Sequence, residues 1–175
     1  MTRFLDANIF IYAYYKPRKQ LTQKEKHMKQ QAQQIIRNVT QNKEQVATTV
    51  IHLSETANIL KHAMTPEQLT RLLRALYMHD NITIHGVTRE AYLAAIELAD
   101  DLKLEPNDAL AIDTMKQNNI TEIYTYDQDF QTIQGITTLP QTEQKNTLDL
   151  ASSGAKHANP KEMKRLLNKL RKEDL

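Results

Sequence analysis

The chain opens on an apolar run, FLDANIFIYAY at residues 4–14, broken by Asp6 and Asn8. Its density predicts a strand beginning at Arg3 whose far end passes into a turn or a helix start. Residues 23–38 are polar and helix-favouring, with Met28, Ala32, Ile35, Ile36 and Val39 as a thin apolar stripe. VATTVI at 46–51 is β-branched and short, so it predicts a buried strand leading into a helix from His52. TPEQLTRLLRALYMH at 65–79 carries a Thr65 cap, Pro66 at the first helical position and Leu69, Leu72, Leu73 and Leu76 at helical spacing. NITIHGV alternates like a strand, residues 89–104 read as a helix stopped by Pro106, and a new helix follows with Asn107 as its expected cap. EIYTYD predicts a strand, QDF a short turn, and GITTLP a last strand.

Strands thus alternate with one or two helices, the pattern of an α/β domain around a mostly parallel sheet. The expected domain covers residues 1–139. Residues 140–175 add a polar linker and a basic amphipathic helix, with Met163, Leu166, Leu167 and Leu170 on one side.

Composition narrows the chemistry. The 175 residues contain no cysteine, so disulfides and thiolate metal sites are excluded and any metal must be held by oxygen or imidazole. No apolar stretch is long enough to cross a bilayer, and MTRF enters the first strand without a leader pattern, so a cytoplasmic protein is expected. Charge is unevenly spread. Residues 16–43 carry eight Lys/Arg (16, 18, 19, 24, 26, 29, 37 and 43) against the single acid Glu25. The stretch after Thr138 carries eight basic residues against five acids, which leaves the centre of the chain net acidic. An acidic centre between basic flanks suits a polyanion that approaches carboxylates through bound cations. Any one basic run, taken alone, is better explained as a solvated helix face.

Ligands of open α/β sheets collect at the carboxyl ends of the strands. Asp6 falls at the end of the first strand, Glu55 on the first turn after the second, Asp108 at the start of the NDALAI helix, and Asp127 at the end of IYTYD, with Asp129 close behind. Singly, these are ordinary helix-start acids and turn formers. Together, at one sheet edge, they would repel one another, and a divalent cation is the usual remedy. An all-oxygen set favours Mg²⁺ or Mn²⁺. The six histidines (27, 52, 62, 79, 85 and 157) are scattered without ligand spacing and are expected on the surface or in the core. Tyr12, Tyr14 and Tyr15 are expected to finish a core or interface, although such rings can also stack on bases.

Asp6-Ala7-Asn8, Ser54-Glu55, Asn107-Asp108-Ala109-Leu110 and Thr125-Tyr126-Asp127-Gln128-Asp129-Phe130, in this order, resemble the four acidic motifs of PIN-domain ribonucleases, in particular the VapC-like toxins of toxin–antitoxin pairs. The resemblance spans residues 1–139 and implies a three-layer α/β/α fold. It further implies that Asp6, Glu55, Asp108 and Asp127 hold one or two Mg²⁺ or Mn²⁺ ions for hydrolysis of RNA phosphodiesters. Asp129 is an alternative fourth ligand. Asn8 and Thr125 match positions that support the acids, and Ser54 is expected to cap the helix bearing Glu55. Lys16, Arg18, Lys19, Lys24 and Lys26 are the expected RNA contacts. A cognate antitoxin and a homodimer built on the helices between the second and third strands are implied partners.

Three other readings compete. A haloacid-dehalogenase-like phosphatase needs a second aspartate where this chain has Asn8, which cannot do acid/base chemistry. A stand-alone PIN nuclease of RNA processing would share all four acids. A non-catalytic PIN-like binding module would need none of them.

Overall fold

The computed structural model of the chain describes residues 1–15 and 20–140. Strands β1 (Thr2–Leu5), β2 (Gln45–Thr49), β3 (Ile82–His85), β4 (Glu122–Tyr124) and β5 (Thr137–Leu139) form one sheet in the order β3-β2-β1-β4-β5. Every pairing is parallel, and Phe4 stands opposite Ala47 on one side and Ile123 on the other. Parallel strands need crossovers, which helices supply: α1 (Ala7–Tyr14) and α2 (Gln23–Thr40), then α3 (Val50–Leu60) and α4 (Pro66–Tyr77), then α5 (Arg89–Leu102) and α6 (Pro106–Gln117).

Strand alternation sends successive side chains to opposite faces, and each face finds its own helices. Leu5, Val46, Ile82 and Tyr124 join Ile9 and Phe10 of α1, Ile35 and Ile36 of α2, Leu53 of α3 and Leu76 of α4. Phe4, Ala47 and Ile123 join Ala111, Ile112 and Met115 of α6, with Phe130 closing that core. The result is the expected α/β/α sandwich. Burial of each large side chain contributes on the order of 1.5–3 kcal/mol. Threonine caps set the helix starts: Thr22 and Thr65 form reciprocal boxes with Glu25 and Gln68, and Thr88 accepts from the Ala91 N–H.

At the amino ends of the strands, Arg3 Nε donates to Glu122 Oε2 at 2.6 Å and Arg3 Nη1 to Glu44 Oε2 at 3.1 Å. The Tyr124 hydroxyl donates to the same Glu44 oxygen at 2.6 Å. Acids at this end of the sheet therefore have their countercharge. No helix of the described residues is long and apolar enough to cross a membrane.

Several boundaries differ from those expected. β1 ends at Leu5, and most of the opening apolar run is helix α1, because Ile9, Phe10 and Ala13 share the face turned to the core. β2 ends at Thr49, whose hydroxyl accepts from the His52 N–H and starts α3 there. Glu55 consequently lies on the second turn of α3, and Ser54, exposed in mid-helix, is not its cap. Glu105, preceding Pro106, occupies the cap position of α6 in place of Asn107. β4 stops at Tyr124, ahead of the acids that follow it. The linker and basic helix expected over 140–175 lie, beyond Pro140, outside the described residues.

Candidate active site

β2 and β3 lie on one side of β1, β4 and β5 on the other, so the chain's winding reverses between β1 and β4. Crevices of open α/β sheets form outside the carboxyl ends at such a reversal. Asp6 follows β1 directly there, and its N–H bonds to the Tyr124 carbonyl at 3.1 Å, tying it to the end of β4. Its backbone takes the cap position of α1, but its carboxylate does not cap the helix. The carboxylate turns instead to β4: Oδ2 accepts from the Thr125 hydroxyl at 2.6 Å and from the Asn8 amide at 2.5 Å.

Asn8 and Thr125 are bound to each other as well. Asn8 Nδ2 also reaches Thr125 Oγ1 at 3.0 Å, and Asn8 Oδ1 accepts the Tyr126 N–H at 3.2 Å. The Asp127 N–H donates to Thr125 Oγ1 at 2.9 Å, which sets the loop carrying the next acid. The Asp129 N–H donates to Asp127 Oδ1 at 2.9 Å, leaving the Asp129 side chain exposed at the rim. Tyr126 anchors this loop to α2 and α1. Its hydroxyl donates to the Met28 carbonyl at 2.6 Å, and its ring meets Tyr12 edge-on at 5.0 Å. Tyr12 and Tyr14, near the first motif, pack against the core, as expected.

Glu55 projects from α3 and accepts a long hydrogen bond, 3.4 Å, from the Asn107 amide. Asp108 lies in the first turn of α6. Burial and the neighbouring charges of Glu55 and Asp127 push Asp6 up to about 7, against the pull of the Thr125 hydroxyl. Burial, then the charges of Asp6, Asp127, Glu55 and Asp129, push Asp108 up to about 8. Asp129 is also raised, by burial and by Asp127. Asp108 thus feels the charges of all four other acids, and Asp6 those of Glu55, Asp127 and Asp108. Among the described residues, none of Asp6, Asp108 and Asp127 has an ion-pair partner. That contrasts with the Arg3 clamp at the opposite end of the sheet.

The donor set, carboxylates with amide and hydroxyl support, fits a hard divalent cation. Among the described residues, no three acidic or histidine side chains converge closely enough to chelate an ion directly as they stand. A cation such as Mg²⁺, which keeps several waters and needs only one or two direct carboxylates, is compatible with that spacing.

The PIN domain family model matches residues 3–136, more than three-quarters of the chain. The chain belongs to the PIN-domain family. Its fold is shared with a toxin–antitoxin complex from Klebsiella pneumoniae, at 21% identity and a TM-score of 0.55 over 78% of this chain and 96% of that one. It is also shared with VapC20 of Mycobacterium tuberculosis, described as a toxin that cleaves the sarcin–ricin loop, at 18% identity and a TM-score of 0.55, covering 75% and 93% of the two chains. VapBC2 of Rickettsia felis, solved on a DNA fragment from its promoter, matches at 19% identity and a TM-score of 0.54, covering 79% and 97%. No curated protein sequence matches the chain.

Around the PIN site, sequence reasoning missed three contributors. Tyr126 stands inside the TYDQDF motif, but nothing local marks its reach to α2. Asn107 reads as a cap beside Asp108, although its amide faces Glu55. Tyr92, which bonds Asn107, carries no signal at all, because its partner is fifteen residues away on another helix. Of the expected RNA contacts, Lys24 and Lys26 are exposed on α2, whereas Lys16, Arg18 and Lys19 lie outside the described residues.

Proposed function

We propose that the protein is a divalent-metal-dependent endoribonuclease of VapC type, the toxin of a toxin–antitoxin pair. The observation that carries this reading is Asp6 held by Thr125 and Asn8 at the reversal point of a PIN fold, with Glu55, Asp108 and Asp127 as its charged neighbours. These four side chains would hold Mg²⁺ or Mn²⁺, which when bound supplies a water of lowered pKa and charge stabilisation at the phosphate. Asn8 and Thr125 keep Asp6 Oδ2 engaged and so fix the carboxylate's orientation. Their donated protons favour the ionised carboxylate, the form that binds a cation. Asp127, with its backbone fixed by Thr125, serves as the fourth acid, and Asp129 stands behind it at the rim.

Lys24 and Lys26, with Lys16, Arg18 and Lys19 ahead of them in the chain, contact the RNA backbone. Support for a cognate antitoxin comes from the toxin–antitoxin structures that share the fold. A homodimer would cover α4, where Leu69, Leu72 and Leu73 are only half-buried and Leu76 alone is fully covered. Residues 1–139 form the nuclease unit, acting in the cytoplasm.

Cleavage of single-stranded RNA in Mn²⁺ by wild type and Asp6→Asn tests the reading. Wild type should cleave, and the variant should lose at least about a hundredfold in rate. Equal cleavage by both would remove Asp6 from the site. No cleavage by wild type of any RNA, with tight RNA binding retained, would favour a binding module. An antitoxin gene immediately upstream and growth arrest relieved by its product would separate the toxin from a stand-alone processing nuclease.

A further inference from the structure

We infer that Tyr92 and Asn107 form a relay that fixes the Glu55 carboxylate, making both of them positioning residues for the cation site. The relay rests on the reading of Glu55 as a cation ligand. It joins three helices: the Tyr92 hydroxyl of α5 donates to Asn107 Oδ1 of α6 at 2.9 Å, and Asn107 Nδ2 donates to Glu55 Oε2 of α3 at 3.4 Å.

An asparagine side chain has two nearly isosteric ends, so its orientation is set by its partners. A carboxylate accepts only, and it therefore demands the amide's NH₂ end. The phenol donating to Oδ1 holds the other end in the matching direction. Reversal would set two oxygens against each other at the Glu55 contact. Asn107 is itself well seated, because Pro106 pre-sets the first helical position and the Ala109 N–H closes onto the Glu105 carbonyl at 3.0 Å.

Glutamate is the most mobile of the site's carboxylates, with three rotatable bonds, and it stands on a helix of its own. Fixing it before an ion arrives removes part of the ordering cost, on the order of 1 kcal/mol for a long polar side chain. The donor is also neutral. An amide orients the carboxylate without adding a positive charge beside it, as a lysine or arginine there would. Supporting groups of this kind typically alter metal affinity by about 10–100-fold when removed.

The experiment uses the full-length protein and Mn²⁺ alone, with free Mn²⁺ followed by electron paramagnetic resonance. Tyr92→Phe keeps the ring and deletes only the hydroxyl. It should melt within a few degrees of wild type without metal, while binding Mn²⁺ about 3–10-fold more weakly. Asn107→Ala should weaken Mn²⁺ by about 10–100-fold. In cleavage assays at fixed Mn²⁺, kcat should fall in Tyr92→Phe with the KM for RNA unchanged. Wild-type Mn²⁺ binding with unaltered affinity in Tyr92→Phe and Asn107→Ala would overturn the relay and leave the nuclease reading standing. Failure of wild type to bind Mn²⁺ would overturn both. If Asn107→Ala does not fold, Tyr92→Phe decides alone.

Discussion

Thr125 Oγ1 donates its proton to Asp6 Oδ2 and accepts from both the Asn8 amide and the Asp127 N–H. That is the full capacity of a hydroxyl, one donor and two acceptors, spent on three residues of one site. The donated bond works against burial, which together with Glu55 and Asp127 raises Asp6 to about 7. Thr125→Val deletes the donor at nearly constant volume. Its expected effect is a further rise of Asp6 above its present value, so that Mn²⁺ binding at neutral pH weakens about tenfold and the pH midpoint of cleavage moves upward. Thr125→Ser should restore both. A pH profile of Mn²⁺ affinity for the three proteins checks this, and identical profiles would count against it. The sequence made Thr125 legible as a supporter of the acids through its place in TYDQDF. What it could not convey was that a single hydroxyl joins three partners, because those partners come from the residue after β1, from α1 and from the loop after β4.

The start of α3 shows how a helix boundary moves chemistry. Thr49 caps the helix through the His52 N–H and also meets His52 Nδ1 at 2.8 Å, inside the core. His52 is 1% exposed, lies edge-on to Phe4 at 5.1 Å, and is pulled down to about 4 by burial. The unfolded chain takes up a proton near pH 6.5 that the folded protein refuses until about pH 4, so stability is lost as pH falls through that window. The full loss is on the order of 3 kcal/mol. With saturating Mg²⁺ holding the acids ionised, the melting temperature should drop on acidification from about pH 6.5 to about pH 4.5, and His52→Gln should flatten that drop. A drop of equal size in the variant would assign the acid sensitivity elsewhere. Element order and type were largely readable from periodicity, since strands and helices differ in their repeat and each carries turn or cap residues. The opening run was the exception. Eight residues of α1 are too few for a 3.6-residue repeat to stand out from a continuous apolar run, and the second-strand boundary failed because β-branched Val50 and Ile51 suit a strand yet begin a helix.

Across the whole molecule, like charges are gathered rather than dispersed. In metal-free protein, Asp6 and Asp108 keep protons to about pH 7 and 8 that the unfolded chain releases near 3.8. For these groups the folded state binds more protons, so stability falls as pH rises through 8, the opposite sign to His52. Well above pH 6.5 His52 is neutral in both states and no longer opposes the acids. Metal-free protein should therefore melt lower at about pH 8.5 than at about pH 6.5, and Mg²⁺ at a hundredfold excess over its Kd should raise stability by about 2.7 kcal/mol. A melting temperature independent of Mg²⁺ at the higher pH would contradict the cation site. The basic flank acts at longer range. Replacing Lys16, Arg18, Lys19, Lys24 and Lys26 with glutamine should flatten the log–log salt dependence of RNA binding by about 0.7 for each phosphate no longer neutralised, with Mn²⁺ affinity unchanged.

The Arg3 clamp has a mechanical consequence. It joins β1 to the first residue of β4 and to the residue entering β2, on the amino side of the strands from Asp6. A cation bound among the acids would then steady the carboxyl ends of the strands more than the clamped ends. Hydrogen exchange should register this as metal-dependent protection at Asp6 and Thr125, beside steady protection at Phe4 and Val46.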